Sequence, residues 1–427
     1  METVRLDREV QQTTAQNGVV VLSERVPSVR SAAVGIWVRT ASVHEPRPKM
    51  GVSHLLEHLV FKGTARRSAH DIALALEARG GGLDAYTSRD TTAFQARVLD
   101  ADLPRAMDVL TDLVRRPALR EADLDLERNV VLEEINTVQD TPDDLVFDLS
   151  AEALWPDHPF GYSILGTRES VGALAAGDLA DLHRRAYVPS NCVIAAAGNV
   201  DHEALLGLAA AEGWFEAPAA RDALPAAPPP APAVRGFEAR YEKDSAQTHI
   251  VFSTDTVPFA DLRKFPLMVL SNVFGGGMSS RLFQRVREEL GLAYSVYAFT
   301  NFFSYMGVLG VYVGTQPKTA ARAAEAIRAE FAKLAREGLA EDALEQAKRQ
   351  TEGQLMLTLE SPSARMYRLA ASAVHQEPYR SLDQLLGLIQ GITPEQVAEA
   401  AAEFFDPARQ SVVWLGPNGT HRNGEPR

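Results

Sequence analysis

Residues 216–235 read EAPAARDALPAAPPPAPAVR, and this run divides the chain. Proline removes backbone donors and favours an extended, semi-rigid spacer, so the run suits neither a helix interior nor a central strand. It predicts a linker between a segment 1–215 and a second segment 236–418, with 419–427 as a polar tail. The two segments look alike. Each opens on strand-like alternation, at 18–22 and 32–38 in the first and at 236–241 and 248–253 in the second. Each closes on a β-rich run that ends in a Gly/Asn turn, NCVIAAAGNV at 191–200 and QSVVWLGPNG at 410–419. Helices are predicted between these runs at 51–62, 69–79, 101–115, 120–139 and 167–185, and at 260–273, 280–289, 318–336, 341–358 and 394–404. Strands are predicted at 83–88, 91–99, 292–301 and 306–314. Strands joined by short turns, with helices in blocks, give an α+β class. The expectation is two similar domains from a duplication, each a mostly antiparallel sheet with helices packed on it.

The composition narrows the function. A chain of 427 residues is too long for one hydrophobic core. The net charge of −13 carries no basic stripe, and Arg115, Arg116 and Arg120 lie among acids, so a nucleic-acid partner is not expected. No apolar run reaches the ~18 residues of a membrane span, and METVRLDREVQQ lacks the apolar core of a secretory signal. Cys192 is the single cysteine, which excludes an internal disulfide and a Cys-rich metal site and fits a reducing, cytoplasmic setting.

The chemistry starts at residues 54–58, His-Leu-Leu-Glu-His. On a helix His54 and His58 are i and i+4, stacked on one face, where two imidazoles can hold one Zn²⁺. Glu57 lies on nearly the same face and can serve as general base toward a water. The plainer reading is two surface histidines on a helix whose apolar face is Leu55, Leu56, Leu59 and Val60. A catalytic zinc usually takes a third protein ligand. The segment 127–134 offers Glu127 and Glu134, two helical turns apart on one face, while Glu133 points elsewhere. Taken alone, this segment also reads as an ordinary acidic helix surface. The remaining histidines, His44, His70, His158, His183, His202, His249, His375 and His421, lack such spacing and read as surface or satisfied core residues. Cys192, in an apolar strand, reads as an inert buried thiol.

Residues 275–294 read GGGMSSRLFQRVREELGLAY. No Gly-Lys-Ser/Thr follows the glycines, so this is not a phosphate loop. Arg287 and Tyr294 read on their own as a surface Arg and a strand Tyr, and Arg281 as structural.

Taken together, HLLEH at 54–58, FKGT at 61–64, GGGLDAYTSRDTT at 80–92 and ERNVVLEEI at 127–135 resemble the pitrilysin/insulinase family of inverted-motif zinc metallopeptidases. The two-half layout is similar to its short members, such as bacterial proteins resembling the mitochondrial processing peptidase β subunit. The resemblance implies Zn²⁺, one per chain, on His54, His58 and Glu134, with Glu57 as general base and Glu127 supporting the site. It implies that Arg287 and Tyr294 contact substrate and stabilise the oxyanion. It implies a peptide substrate laid as an added strand along Asp84, Ala85, Tyr86 and Thr87, where the family often has Asn in place of Asp84 and Glu in place of Asp90. It further implies a homodimer whose two chains form a chamber for short or unfolded peptides, basic ones among them, with Arg287 and Tyr294 acting in cis or in trans. The alternative is a non-catalytic scaffold or partner subunit, since some family members have lost the ligands.

Overall fold

The computed structural model describes residues 1–218 and 224–417. Part of the expected linker, 219–223, and the expected tail, with His421, lie outside the described residues. The chain runs through β1 (Glu2–Arg5), β2 (Val10–Thr14), β3 (Val20–Arg25), β4 (Ser31–Val38), α1 (Val52–Val60), α2 (Ala69–Glu77), β5 (Gly82–Thr87), β6 (Thr92–Leu99), α3 (Leu103–Arg115), α4 (Glu121–Asp140), α5 (Pro142–Leu154), α6 (Arg168–Ala173), α7 (Ala176–Ala186), β7 (Cys192–Gly198) and α8 (His202–Ala211). It continues through β8 (Glu238–Glu242), β9 (Thr248–Thr256), α9 (Lys264–Gly275), a π-helix over Phe283–Glu289, β10 (Ala293–Phe302), β11 (Gly307–Thr315), α10 (Ala320–Glu337), α11 (Glu341–Thr358), α12 (Pro362–Val374), α13 (Leu382–Gln390), α14 (Pro394–Phe404) and β12 (Ser411–Gly416).

Two sheets organise these elements. The first has the order β1-β2-β3-β7-β4-β6-β5, the second β10-β11-β9-β12-β8. The run β3-β7-β4-β6-β5 and the run β8-β12-β9-β11-β10 share one topology. In each, the first two strands pair in parallel and the others antiparallel. The fold is therefore α+β with two similar halves, and the two closing runs of the sequence form the matching strands β7 and β12.

Two compact units result, and they interleave along the chain. The first is Met1–Ile135, Tyr162–Pro228 and Leu357–Ser381; the second is Asn136–Gly161, Pro229–Met356 and Leu382–Arg427. A single cut at 216–235 thus does not separate them. In the first unit one face of the sheet buries Val34, Ile36 and Phe94 against α1, α3 and α7. The opposite face buries Leu22, Trp37 and Val193 against Met366, Leu369, Ala370 and Val374 of α12. The second unit repeats this plan, with Leu145, Val146 and Ala153 of α5 against Val251 and Val413. Complete burial of each such aliphatic side chain stabilises the fold by roughly 1.5–3 kcal/mol.

Several elements depart from the sequence reading. The helix expected at 167–185 is two helices, because the chain turns extended at Leu174 and Ala175 and the Asp178 carboxylate accepts from the Ala175 N–H to start the second. The expected helix at 280–289 is of π type over Phe283–Glu289. β1, β2, α5, α8, α12 and α13 were not anticipated.

Candidate metal centre

α1 carries the histidines because of what its other face does. Leu55, Leu56, Leu59 and Val60 are buried in the first core, which fixes the rotation of the helix and turns His54 and His58 toward α4. The helix starts at Gly51, held at φ +86°, where an added Cβ would lie 2.5 Å from the Leu165 carbonyl oxygen, so only glycine fits. The imidazole rings of His54 and His58 have centroids 4.6 Å apart.

α4 brings the carboxylates. His54 Nε2 lies 3.6 Å from Glu134 Oε2, and His58 Nε2 lies 3.6 Å from Glu134 Oε1. These spacings are too long for hydrogen bonds. One donor atom from each of His54, His58 and Glu134 lies within 4.8 Å of the other two, which suits the three to hold a single ion. Among the described residues, this trio is the group of three His, Cys or acidic side chains able to hold a metal. Burial, with His58 alongside, pushes the His54 imidazole down to about 4, so at neutral pH it is uncharged and presents a lone pair.

The surrounding contacts orient the trio. His58 Nδ1 lies 3.1 Å from Glu127 Oε2, so its Nδ1–H donates there and leaves Nε2 facing Glu134. Lys62 Nζ lies 2.6 Å from Glu127 Oε1 and balances that buried carboxylate. Sequence reasoning did not single out Lys62, although it stands inside FKGT. Glu57 is buried, and Thr87 Oγ1 donates to its Oε2 at 2.5 Å. Burial raises the Glu57 carboxyl above its ordinary range, and the bond from Thr87 opposes that rise. Glu133, one residue before Glu134 on α4, is exposed.

Residues 84–87 lie in the edge strand β5, which among the described residues pairs with β6 alone. Alternation splits its side chains between faces. Thr87 and Ala85 face α1, whereas Asp84 accepts from Gln95 Nε2 at 3.0 Å and Tyr86 OH accepts from Trp37 Nε1 at 3.2 Å on the opposite face. Among the described residues, no strand pairs with the outer edge of β5.

Arg287 and Tyr294 belong to the second unit. There they are brought together. The Arg287 guanidinium lies 4.5 Å from the Tyr294 ring centroid and 4.6 Å from that of Phe283, and its Nη1 donates to the Tyr294 carbonyl at 3.1 Å. Phe283 is a second residue that the sequence reading passed over. Arg281 donates to the Gly338 carbonyl. Of the other histidines, His202 binds hydroxyls with both ring nitrogens, His183 meets the Val114 carbonyl and His249 the Tyr312 hydroxyl. Cys192 is fully buried, and burial pushes its thiol up to about 12.

An α+β fold of two similar halves, with an inverted His-Glu-His helix and a distant Glu, defines the class of metallopeptidase-like proteins. Residues 20–168 match the insulinase family (peptidase family M16), and residues 173–351 match the peptidase M16 inactive domain. The chain is 38% identical to an uncharacterized zinc protease of Streptomyces coelicolor, covering 96% of this chain and 90% of the relative. It is 36% identical to the uncharacterized zinc protease YmxG of Bacillus subtilis, covering 96% and 99%. The chain belongs to peptidase family M16. Its fold matches a protease from Helicobacter pylori at a TM-score of 0.89, with 21% identity over 96% of this chain and 99% of that one. It also matches a peptidase M16 inactive domain structure from Pseudomonas fluorescens at a TM-score of 0.88, with 21% identity over 96% and 98%.

Proposed function

We propose that this chain is a zinc-dependent endopeptidase for short or unfolded peptides. The observation that carries the reading is the convergence of His54, His58 and Glu134, with Glu57 beside them on the same helix. Bound by that trio, zinc supplies a Lewis acid that polarises the peptide carbonyl and makes a water more acidic. Glu57 takes the proton of the attacking water and passes it to the leaving amine. Thr87 holds the Glu57 carboxylate in place for that transfer. Glu127 keeps His58 in the tautomer with Nε2 free. The open edge of β5 receives the peptide as an added strand, so main-chain bonds supply affinity and many sequences are accepted.

In the same reading the working unit is a homodimer that encloses the peptide. Arg287 and Tyr294 of the partner subunit donate to the carbonyl oxygen as it gains charge, and the net charge of −13 favours basic peptides. A cytoplasmic setting accords with a single cysteine. No helix among the described residues is long and apolar enough to cross a membrane.

The deciding experiment is hydrolysis of an internally quenched basic peptide by the zinc-loaded chain, with Glu57→Gln beside it. Cleavage lost in Glu57→Gln is the expected result. Absence of cleavage by a chain carrying stoichiometric zinc would favour a missing partner subunit or a scaffold role. Mixing Glu57→Gln with Arg287→Ala tests the shared site: regained activity after subunit exchange is expected.

A further inference from the structure

α1 has an unusual start. Its N-cap is Gly51, which has no side chain to accept a first-turn N–H, and its first turn holds no acidic residue. A helix of nine residues begun this way should fray. The missing cap comes from outside the helix. Glu45 is buried, and its two carboxylate oxygens accept from the Gly51 N–H at 2.8 Å and the Ser53 N–H at 2.7 Å. The turn between is fixed from its other side, where Ser170 Oγ donates to the Met50 carbonyl at 2.9 Å. Ser53 immediately precedes His54, so a shift of this end moves the first histidine directly.

We propose that Glu45 is a positioning residue for the metal centre, clasping the N-terminus of α1 so that His54 and His58 are held at the separation a single ion needs. A carboxylate at this end also opposes the partial positive charge of the helix N-terminus. Burying a carboxyl at this position has a cost. Burial pushes the Glu45 carboxyl up to about 7, against the pull of the Ser53 hydroxyl and of the Ser53 and Gly51 N–H groups. The inference rests on the metal reading given above.

The test is a cobalt titration of the full-length chain, read in the visible d–d bands, with zinc competition against a chromophoric chelator. Glu45→Gln keeps the shape but replaces one acceptor by an amide NH₂ facing an N–H, and removes the charge. The expected result is a folded chain with about tenfold weaker metal binding and displaced cobalt bands, the loss typical of outer partners of a metal site. Glu45→Gln that is folded, with wild-type affinity and an unchanged cobalt spectrum, would overturn the proposal. If Glu45→Gln does not fold, Glu45→Asp takes its place; it keeps the charge but reaches one N–H, and a measurable loss of affinity, smaller than that of Glu45→Gln, is expected. Unchanged affinity and spectrum there would overturn the proposal equally. No uptake of cobalt or zinc by the wild type would overturn the metal reading itself and this inference with it, an outcome distinct from equal uptake by wild type and variant.

Discussion

Thr87 and Glu57 are joined by a 2.5 Å hydrogen bond that ties the edge strand of the first sheet to the acid of the HLLEH helix. The last residue of β5 and the proposed general base therefore form one mechanical piece. A peptide added along β5 would bear on the carboxylate that acts on it. Removing a hydrogen bond to a charged group costs about 1.5–3 kcal/mol, or at least tenfold in rate. Thr87→Val is expected to lower kcat at least tenfold at unchanged zinc content, while Thr87→Ser, which keeps the hydroxyl, stays within a few-fold of wild type. Steady-state kinetics on the quenched peptide decide this, and equal rates for Thr87→Val would break the link.

The chain from Lys62 through Glu127 to His58 makes a second prediction. Lys62→Met leaves the buried Glu127 carboxylate without its cation. Zinc affinity is expected to fall about tenfold, and Glu127→Gln to cost more, up to roughly a hundredfold. Competition with a chelator of known affinity measures both. A Lys62→Met chain that holds zinc like the wild type would place the lysine outside the metal site.

Cys192 offers a probe of the first core. With its thiol buried and pushed up to about 12, it should resist a thiol reagent at pH 8 in the native chain and react at once in denaturant. Rapid modification under native conditions would mean that β7 opens far more readily than its burial implies.

His202 sets a pH dependence. Burial holds its imidazole below the ordinary histidine value, and both ring nitrogens meet hydroxyls, Thr13 Oγ1 and Ser23 Oγ, each at 2.8 Å. The unfolded chain then binds the proton more readily. The stability this histidine contributes is present above about pH 6.5 and is lost as pH falls toward the folded value. The metal-free chain should lose stability on acidification below pH 6.5, and His202→Gln should flatten that loss by at most about 1.4 kcal/mol per pH unit. Denaturant melts at a series of pH values test it; slopes that coincide for the two chains would refute it.

The sequence carried those parts of the site that are local. His54, Glu57 and His58 sit within one helical turn and a half, and the 3.6-residue period alone puts them on one side. Glu134 needed the family resemblance, because α4 is brought to α1 by packing. Lys62, Thr87 toward Glu57, and Glu45 share a different obstacle. Each acts through a contact between segments that no periodicity records, and Glu45 does so across a glycine that conceals the start of the helix. Among the elements, α8 reads HEALLGLAAA, where apolar residues fall on nearly every side and blur the helical period. β2, VQQTT, buries only Val10 and Thr13, too little alternation to stand out.

The interleaving of the two units bears on how the chain is made. The core containing Trp37 and Leu22 is closed by Met366, Leu369, Ala370 and Val374. A ribosome that has released only the first 235 residues has therefore exposed one face of the first sheet with nothing of its own to cover it. The N-terminal unit can finish only after residue 381 has emerged, so the nascent chain must keep that apolar face from other partners through most of translation. A gene cut at the proline-rich run would yield two polypeptides, each lacking one helix of its core, and their yield when co-expressed would depend on finding each other.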